Sequence, residues 1–401
     1  MTDPKEIVSQ IRARVDAQRE DILTFLRELI AIPSFDSQIL EAGQRAEAEM
    51  KKLGFDKVWW DRMGNVVGVI GNGEKKLLYD GHLDTVGVDD YESVDFDPFE
   101  GKVEDGVLFA RGACDEKGSV PGMIYGLAIA KELGLLDGYT AYYYGNMEEW
   151  NEGSAQQVLC ELEGVKPDFV VIGEPTDMRV YRGQKGRVEF EITAKGRSAH
   201  GASNHLGDNA IYKLVPIIDA ISKMQADFAD DPFLGKGTIT VTDMTVKTVS
   251  VNAVPHEATI FVDRRLTHGE TWEGELARMQ ALIGNREDIT IRVPVYDVPS
   301  YNGFTFPLEK IYPTWVTDVE HPLIQAGQRT GEWLWGAMDA PQKWDFSTNG
   351  VYWAGKAGIP CVGFGPGDDQ NAHTTRDQVI LDDVVRATEW FALLPAILAD
   401  A

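Results

Sequence analysis

Seven side chains suited to metal binding or proton transfer fall where apolar strands read as ending. They are His82 and Asp84 in DGHLDTV, Asp115 in RGACDEKG, Glu148 and Glu149 in NMEEW, Glu174 in IGEPT, and His373 in NAHTT. Two histidines and several carboxylates make a mixed nitrogen and oxygen donor set, which suits zinc, manganese or cobalt. Five ligands with one carboxylate to spare suit a pair of ions ~3.5–4 Å apart that share a bridging carboxylate and a bridging water. The spare carboxylate would be the general base for that water. Asp or Glu after a strand is an ordinary turn residue, so any one of these motifs alone says little. Seven of them, each at a strand-to-loop junction, are harder to explain as turns.

The stretch GNMEEWNEG, 145–153, follows the aromatic run TAYYYG. Neighbouring residues on an extended strand point to opposite sides. Glu148 and Glu149 can therefore serve one site only if the strand has ended, and Gly145 and Asn146 make a turn there plausible. Like charges so close are costly, and two adjacent cations would cancel that cost.

The elements that must position these residues follow from periodicity. Apolar residues from Ile7 to Ile30 recur at helical spacing, and Pro33 predicts a stop close by. DKVWWDRMGNVVGVIGNG reads as two strands around a turn, and KKLLYDGHLDTV, YTAYYYGNMEE and PDFVVIGEPTD as buried strands with polar ends. GSVPGMIYGLAIAKELG reads as a helix stopping at Gly134. Strands alternating with helices predict an α/β domain with a mostly parallel sheet, whose site lies beyond the carboxyl ends of the strands. Near residue 182 the texture changes to alternating strands and two amphipathic helices. This predicts a catalytic domain of residues 1–181 and 297–401, interrupted by an α+β unit at 182–296.

Thirty-eight basic against sixty-four acidic residues give a formal charge of −26, which argues against nucleic acid or an anionic membrane as partner. The three cysteines form no CxxC pair and no disulfide framework, which fits a reducing compartment. The charged start lacks an apolar signal core, and no stretch holds the ~18 apolar residues of a membrane span. The expected location is the cytoplasm.

In order, DGHLDTV, RGACDEKG, MEEWNEG, IGEPT, GRSAH and NAHTT resemble the M20 metallopeptidase family. That family includes acetylornithine deacetylase, succinyl-diaminopimelate desuccinylase, aminoacylases and dipeptidases. The resemblance spans nearly the whole chain. PTDMRVYRGQKGR, GDNAIYKLVPII, FLGKGTITV, DRRLTHGET and KWDFSTNGV are similar to its YgeY-type branch of selenium metabolism-linked hydrolases.

The resemblance implies roles at matching positions. His82 and Glu174 would bind one ion, Glu149 and His373 the other, and Asp115 would bridge them. Zinc is the first expectation, with cobalt or manganese as alternatives. Glu148 would be general base and then proton donor, and Asp84 would orient His82 from behind. His200, in GRSAH, would reach from the inserted domain of one subunit into its partner's site and help hold an oxyanion, a contact worth ~2.7–4 kcal/mol. The family often has proline four residues later, where this chain has Asn204. Arg264 or Arg265, Asn252, Gly365, Pro366 and Gly367 match positions that bind the substrate's carboxylate, and Ser347 and Thr348 would line the pocket. Glu152, His205, His256 and His268 read as bystanders, and Cys114 as a packed small residue.

The function so implied is metal-dependent hydrolysis of the amide bond of an N-acyl amino acid or a small peptide, by a deacylase or dipeptidase. It would act as a homodimer whose inserted domain also forms a lid. The alternatives are hydrolysis of an N-carbamoyl amino acid, phosphoester hydrolysis, for which no basic phosphate cradle is evident, and a non-catalytic binding protein on the same fold.

Overall fold

The computed structural model describes residues 4–89, 91, 94–147, 149 and 151–399. Four strands form the centre of its larger sheet: Tyr139–Asn146, Lys75–His82, Phe169–Ile172 and Cys361–Gly363, side by side and parallel. Each reads as an apolar run because both faces are covered, and every residue from Leu77 to His82 is buried. Antiparallel strands complete both edges: Lys57–Trp60 and Val66–Gly71 on one side, Tyr181–Gln184 and Trp315–Val316 on the other. The α/β expectation holds, as a mixed sheet with a parallel centre.

The helices Pro4–Ile30, Val120–Glu132, Pro322–Trp335 and Leu381–Ala399 pack together and close this core. The first ends three residues before Pro33. The second ends just before Gly134, whose φ of +70° suits a residue without a Cβ. Among the described residues, no helix is long and apolar enough to cross a membrane.

A second, antiparallel sheet centres on Gly186–Lys195, paired with Glu257–Leu266, Ile289–Arg292 and the short Ile311–Tyr312. Thr238–Lys247 forms its edge. Strict alternation of buried and half-buried residues shows one face covered, by helices Ala210–Met224 and Trp272–Ile283. Asn209 caps the first helix, its Oδ1 accepting from the amide of Ile211 at 2.9 Å. This unit has its own hydrophobic cluster. Its sheet runs from Gly186 to Tyr312, whereas 182–296 was expected. The intervening chain crosses to the first core, where Ser300 Oγ donates to the Met63 carbonyl and Tyr301 OH to the Gly64 carbonyl, each at 2.9 Å. It then returns through Ile311–Tyr312, a strand too short to show a period.

Candidate metal centre

The parallel register sets the site. His82 is level with Asn146, and Asp80 with Ile172, so His82, Glu149 and Glu174 emerge at one end of adjacent strands. The loop before helix Val120–Glu132 brings Asp115 over the same end. Asp377 holds that loop, its two carboxylate oxygens accepting the amides of Gly112 at 2.6 Å and Cys114 at 2.8 Å. Lys117 ties it to the end of the first helix, donating to the carbonyls of Leu29 at 3.0 Å and Ile32 at 2.8 Å. Burial lowers this lysine to about 7.

Two donor clusters result, and they share one residue. His82, Asp115 and Glu174 form one; Asp115, Glu149 and His373 form the other. Asp115 Oδ1 is 3.0 Å from His82 Nε2, and Oδ2 is 3.1 Å from His373 Nε2. Glu149 Oε1 is 2.8 Å from the same His373 nitrogen. Within each cluster the donor atoms all lie within 4.8 Å of one another. An ion ~2.0–2.2 Å from each donor requires donors roughly 3–4 Å apart. The set therefore fits two ions with Asp115 between them.

The electrostatics point the same way. Hydrogen bonds donated to Asp115 and Glu149 raise His373 to about 10. Burial opposes a charge on His82, but Glu116, Asp115 and Asp84 outweigh it and hold the imidazole well above its ordinary range. Burial likewise opposes ionisation of Asp115, yet the contacts with His373 and His82 hold it well below the usual carboxylate range. Burial and the charge of Asp115 push Glu149 up. A cluster this acidic gathers positive charge, as protons or as ions.

Behind His82, Nδ1 meets the backbone carbonyl of Asp84 at 2.9 Å, with the Asp84 carboxylate at 3.4 Å. The carbonyl is thus the nearer partner fixing the imidazole tautomer. Glu148 lies outside the described residues. His373 adopts a left-handed backbone, φ +57°, uncommon for a residue with a side chain.

Beneath the centre, buried Asp80 accepts hydrogen bonds from Asn146 Nδ2 at 2.6 Å, Asn349 Nδ2 at 3.0 Å, Gln156 Nε2 at 3.2 Å and the Trp353 indole. Asn146 lies at the start of the GNMEEWNEG stretch and Gln156 follows it, so one carboxylate ties down both ends. Asn349 adds the loop that carries Ser347.

The cavity over the centre measures about 350 Å³. Besides all five of the candidate ligands, Glu152, Arg187, Arg265, Phe346, Ser347 and Asp369 line it. Arg265 and Arg187 come from the second sheet. Arg264, its neighbour on the strand, points the other way. It is fully buried, bonded by Nε to Glu275 at 2.9 Å and by Nη2 to Glu270 at 2.6 Å, so it is placed inside the second unit and away from the cavity. Thr348 is also turned away, with its amide and hydroxyl both given to Gln184. Gly365 and Gly367 do not line the cavity. A Cβ on Gly365 would stand 2.5 Å from the Gly173 carbonyl oxygen, and one on Gly367 2.6 Å from Cys114 Cβ, so both serve close packing. Asn252 and His200 are exposed and outside the cavity of this chain. Cys114 is packed, its thiol pushed up by burial.

Glu152, read as a bystander, is half-buried in the cavity, where its Oε1 accepts from Arg187 Nη2 at 2.8 Å. Arg187 was not singled out. The alternation of GRVEFEITAKG put it on the same face as Glu189 and Glu191, where a charge passes for a solvated one.

Residues 78–396 match the peptidase family M20/M25/M40, and the chain belongs to this family of hydrolases. It is 40% identical over 377 residues to the Escherichia coli K12 protein named "Uncharacterized protein YgeY", covering 94% of each. It is 27% identical over 276 residues to the succinyl-diaminopimelate desuccinylase of Bordetella petrii, covering 65% of this chain and 72% of the relative. Among solved structures, the Bacillus subtilis YXEP protein, described as a dinuclear metal-binding peptidase of the M20 family, superposes with a TM-score of 0.70. That match has 14% identity and covers 96% of this chain and 99% of that one.

Proposed function

We propose that the chain hydrolyses the amide bond of an N-acyl amino acid or small peptide at a centre of two divalent ions, zinc foremost. The observation that supports this best is the pair of donor clusters joined by Asp115. The ions, when bound, would supply Lewis-acid activation of a water and of the scissile carbonyl. Asp115 would set their spacing, and Glu148, next to Glu149 in the chain, would take a proton from the water. A bond forms from the water oxygen to the carbonyl carbon, the carbon–nitrogen bond breaks, and Glu148 returns the proton to the leaving amine. Arg265 in the cavity suits a substrate carboxylate. The names of the desuccinylase relative and the peptidase neighbour favour acyl amino acids and peptides in the same way.

The second unit would be both lid and dimerisation surface, in a cytoplasmic homodimer. It carries the exposed apolar side chains Leu206, Tyr212, Val249 and Val251, the last 96% exposed, and an open edge strand at Thr238–Lys247. A partner docked there would bring His200 to the neighbouring site. The test is metal analysis of the purified protein, then a mass-spectrometric screen of N-acetyl, N-succinyl and N-carbamoyl amino acids and dipeptides. Activity lost to chelator and restored by one metal is expected. Full activity in metal-free protein overturns the reading.

A further inference from the structure

Glu116 follows Asp115 and has no role in the ligand set above. Its side chain is 1% exposed. Its Oε2 stands 3.7 Å from His82 Nε2, the same separation as Glu174 Oε1 from that nitrogen. Its Oε1 is buried and has no hydrogen-bond partner among the described residues.

The carboxylate sits in a notch made by two glycines. A Cβ on Gly173 would lie 2.7 Å from Glu116 Oε1, and a Cβ on Gly81 would lie 3.0 Å from it. These glycines directly precede Glu174 and His82. The backbone is bare beside both ligands, and a third acid occupies the space. Burying a carboxylate costs several kcal/mol unless something opposes its charge. Its ion contact among the described residues is His82, itself a ligand. Lys117, next in the chain, directs its ammonium to the carbonyls of Leu29 and Ile32.

We propose that Glu116 is a further cation-directed carboxylate at the His82, Asp115 and Glu174 position, an inference that rests on the two-ion reading above. A separation of 3.7 Å falls within the roughly 3–4 Å between donors that share an ion. The two positions are then unequal. One has a histidine with Asp115, Glu116 and Glu174; the other has a histidine with Asp115 and Glu149. The more acidic position holds its ion more tightly, and its oxygen-rich donor set extends its tolerance to manganese.

The test is calorimetric titration of the metal-free full-length protein with Co²⁺, in wild type and in Glu116→Gln, with circular dichroism to confirm folding. Glu116→Met is the second variant, because its apolar side chain suits the notch should the amide not fold. The expected result is that one of two binding steps weakens by about 10-fold or more while the other keeps its affinity. The weakened step should be the one lost in Glu174→Gln, and Glu149→Gln should affect the other. Wild-type affinity at both steps in the Glu116 variants overturns the inference, as does equal weakening of both. Wild-type protein that takes up no Co²⁺ overturns the two-ion reading and this inference with it, so the two failures are distinct.

Discussion

Arg187 and Arg265 stand directly opposite each other on adjacent strands of the second sheet, and both line the cavity over the metal centre. Like charges in opposed positions destabilise a strand pair. Here acids offset them: Glu152 holds Arg187 at 2.8 Å, and Asp263 accepts from Arg265 Nε at 2.8 Å. Arg187 also lies over the Tyr312 ring, 4.2 Å from its centroid. An anionic substrate group would complete the arrangement. Replacing Arg265 with Met should raise KM about 10–100-fold for a substrate with a free carboxylate, since a hydrogen bond to a charged group contributes ~1.5–3 kcal/mol. The same change should have little effect on an amidated analogue. Steady-state kinetics on the pair of substrates checks this.

The Glu152–Arg187 contact joins the loop after Glu149 to the second unit. Glu152→Gln keeps the shape and removes the charge. Its expected effect is a loss in kcat/KM of about tenfold with metal content unchanged, read by kinetics alongside metal analysis. An unchanged kcat/KM would return Glu152 to the bystander role.

Glu148→Gln should retain both ions and lose hydrolysis by about 10²–10⁴-fold. Metal analysis and single-turnover assays on one preparation separate binding from proton transfer. Full-rate hydrolysis would refute the assignment of the base.

Metal uptake should release protons. Hydrogen bonds to Asp115 and Glu149 put metal-free His373 at about 10, so it is charged at neutral pH and must become neutral to bind an ion. Apparent affinity should therefore fall as pH falls. Calorimetry at pH 7.5 in buffers of different ionisation enthalpy counts the protons, and a count of zero contradicts the prediction. Ions at 100 times their dissociation constant should stabilise the fold by ~2.7 kcal/mol per site.

Asp80 gives a pH signature in the metal-free protein. Burial raises its carboxyl from 3.8 to about 6, against the opposing hydrogen bonds of Trp353, Asn146, Gln156 and Asn349. A raised folded value means the folded state binds the proton more tightly. The contribution is full below about pH 4 and is lost as pH rises through about 6, for a total of roughly 3 kcal/mol. Denaturant unfolding at pH 4 and pH 7 should show wild type losing more stability than Asp80→Asn as pH rises, since Asp377 and Asp369 titrate in both proteins.

Much of this was legible because ligands sit where strands stop. Apolar runs ending in DGH, NMEE and IGEP placed the donors at one edge of a sheet before any distance was known. Alternation and helical spacing separated the second unit, but Ile311–Tyr312 was too short to carry a period, and the boundary fell early. Arg264 and Arg265 looked equivalent until the strand turned them to opposite faces. Arg187 and Glu152 were missed because their pairing joins residues 35 apart in the chain. Asp80 and Glu116 were not singled out; their importance comes from burial, which sequence shows poorly for a charged residue.

The two histidines differ in access. His82 is 1% exposed, walled in by strands on both sides, whereas the His373 side chain is 55% exposed on a loop. A cation arriving from solvent can meet His373 without any strand moving. His82 and Glu174 nevertheless line the same cavity as His373, so a cation at their position would exchange through that cavity. On the two-ion reading, exchange at the exposed His373 position would follow the motion of its loop, and the buried His82 position would exchange more slowly.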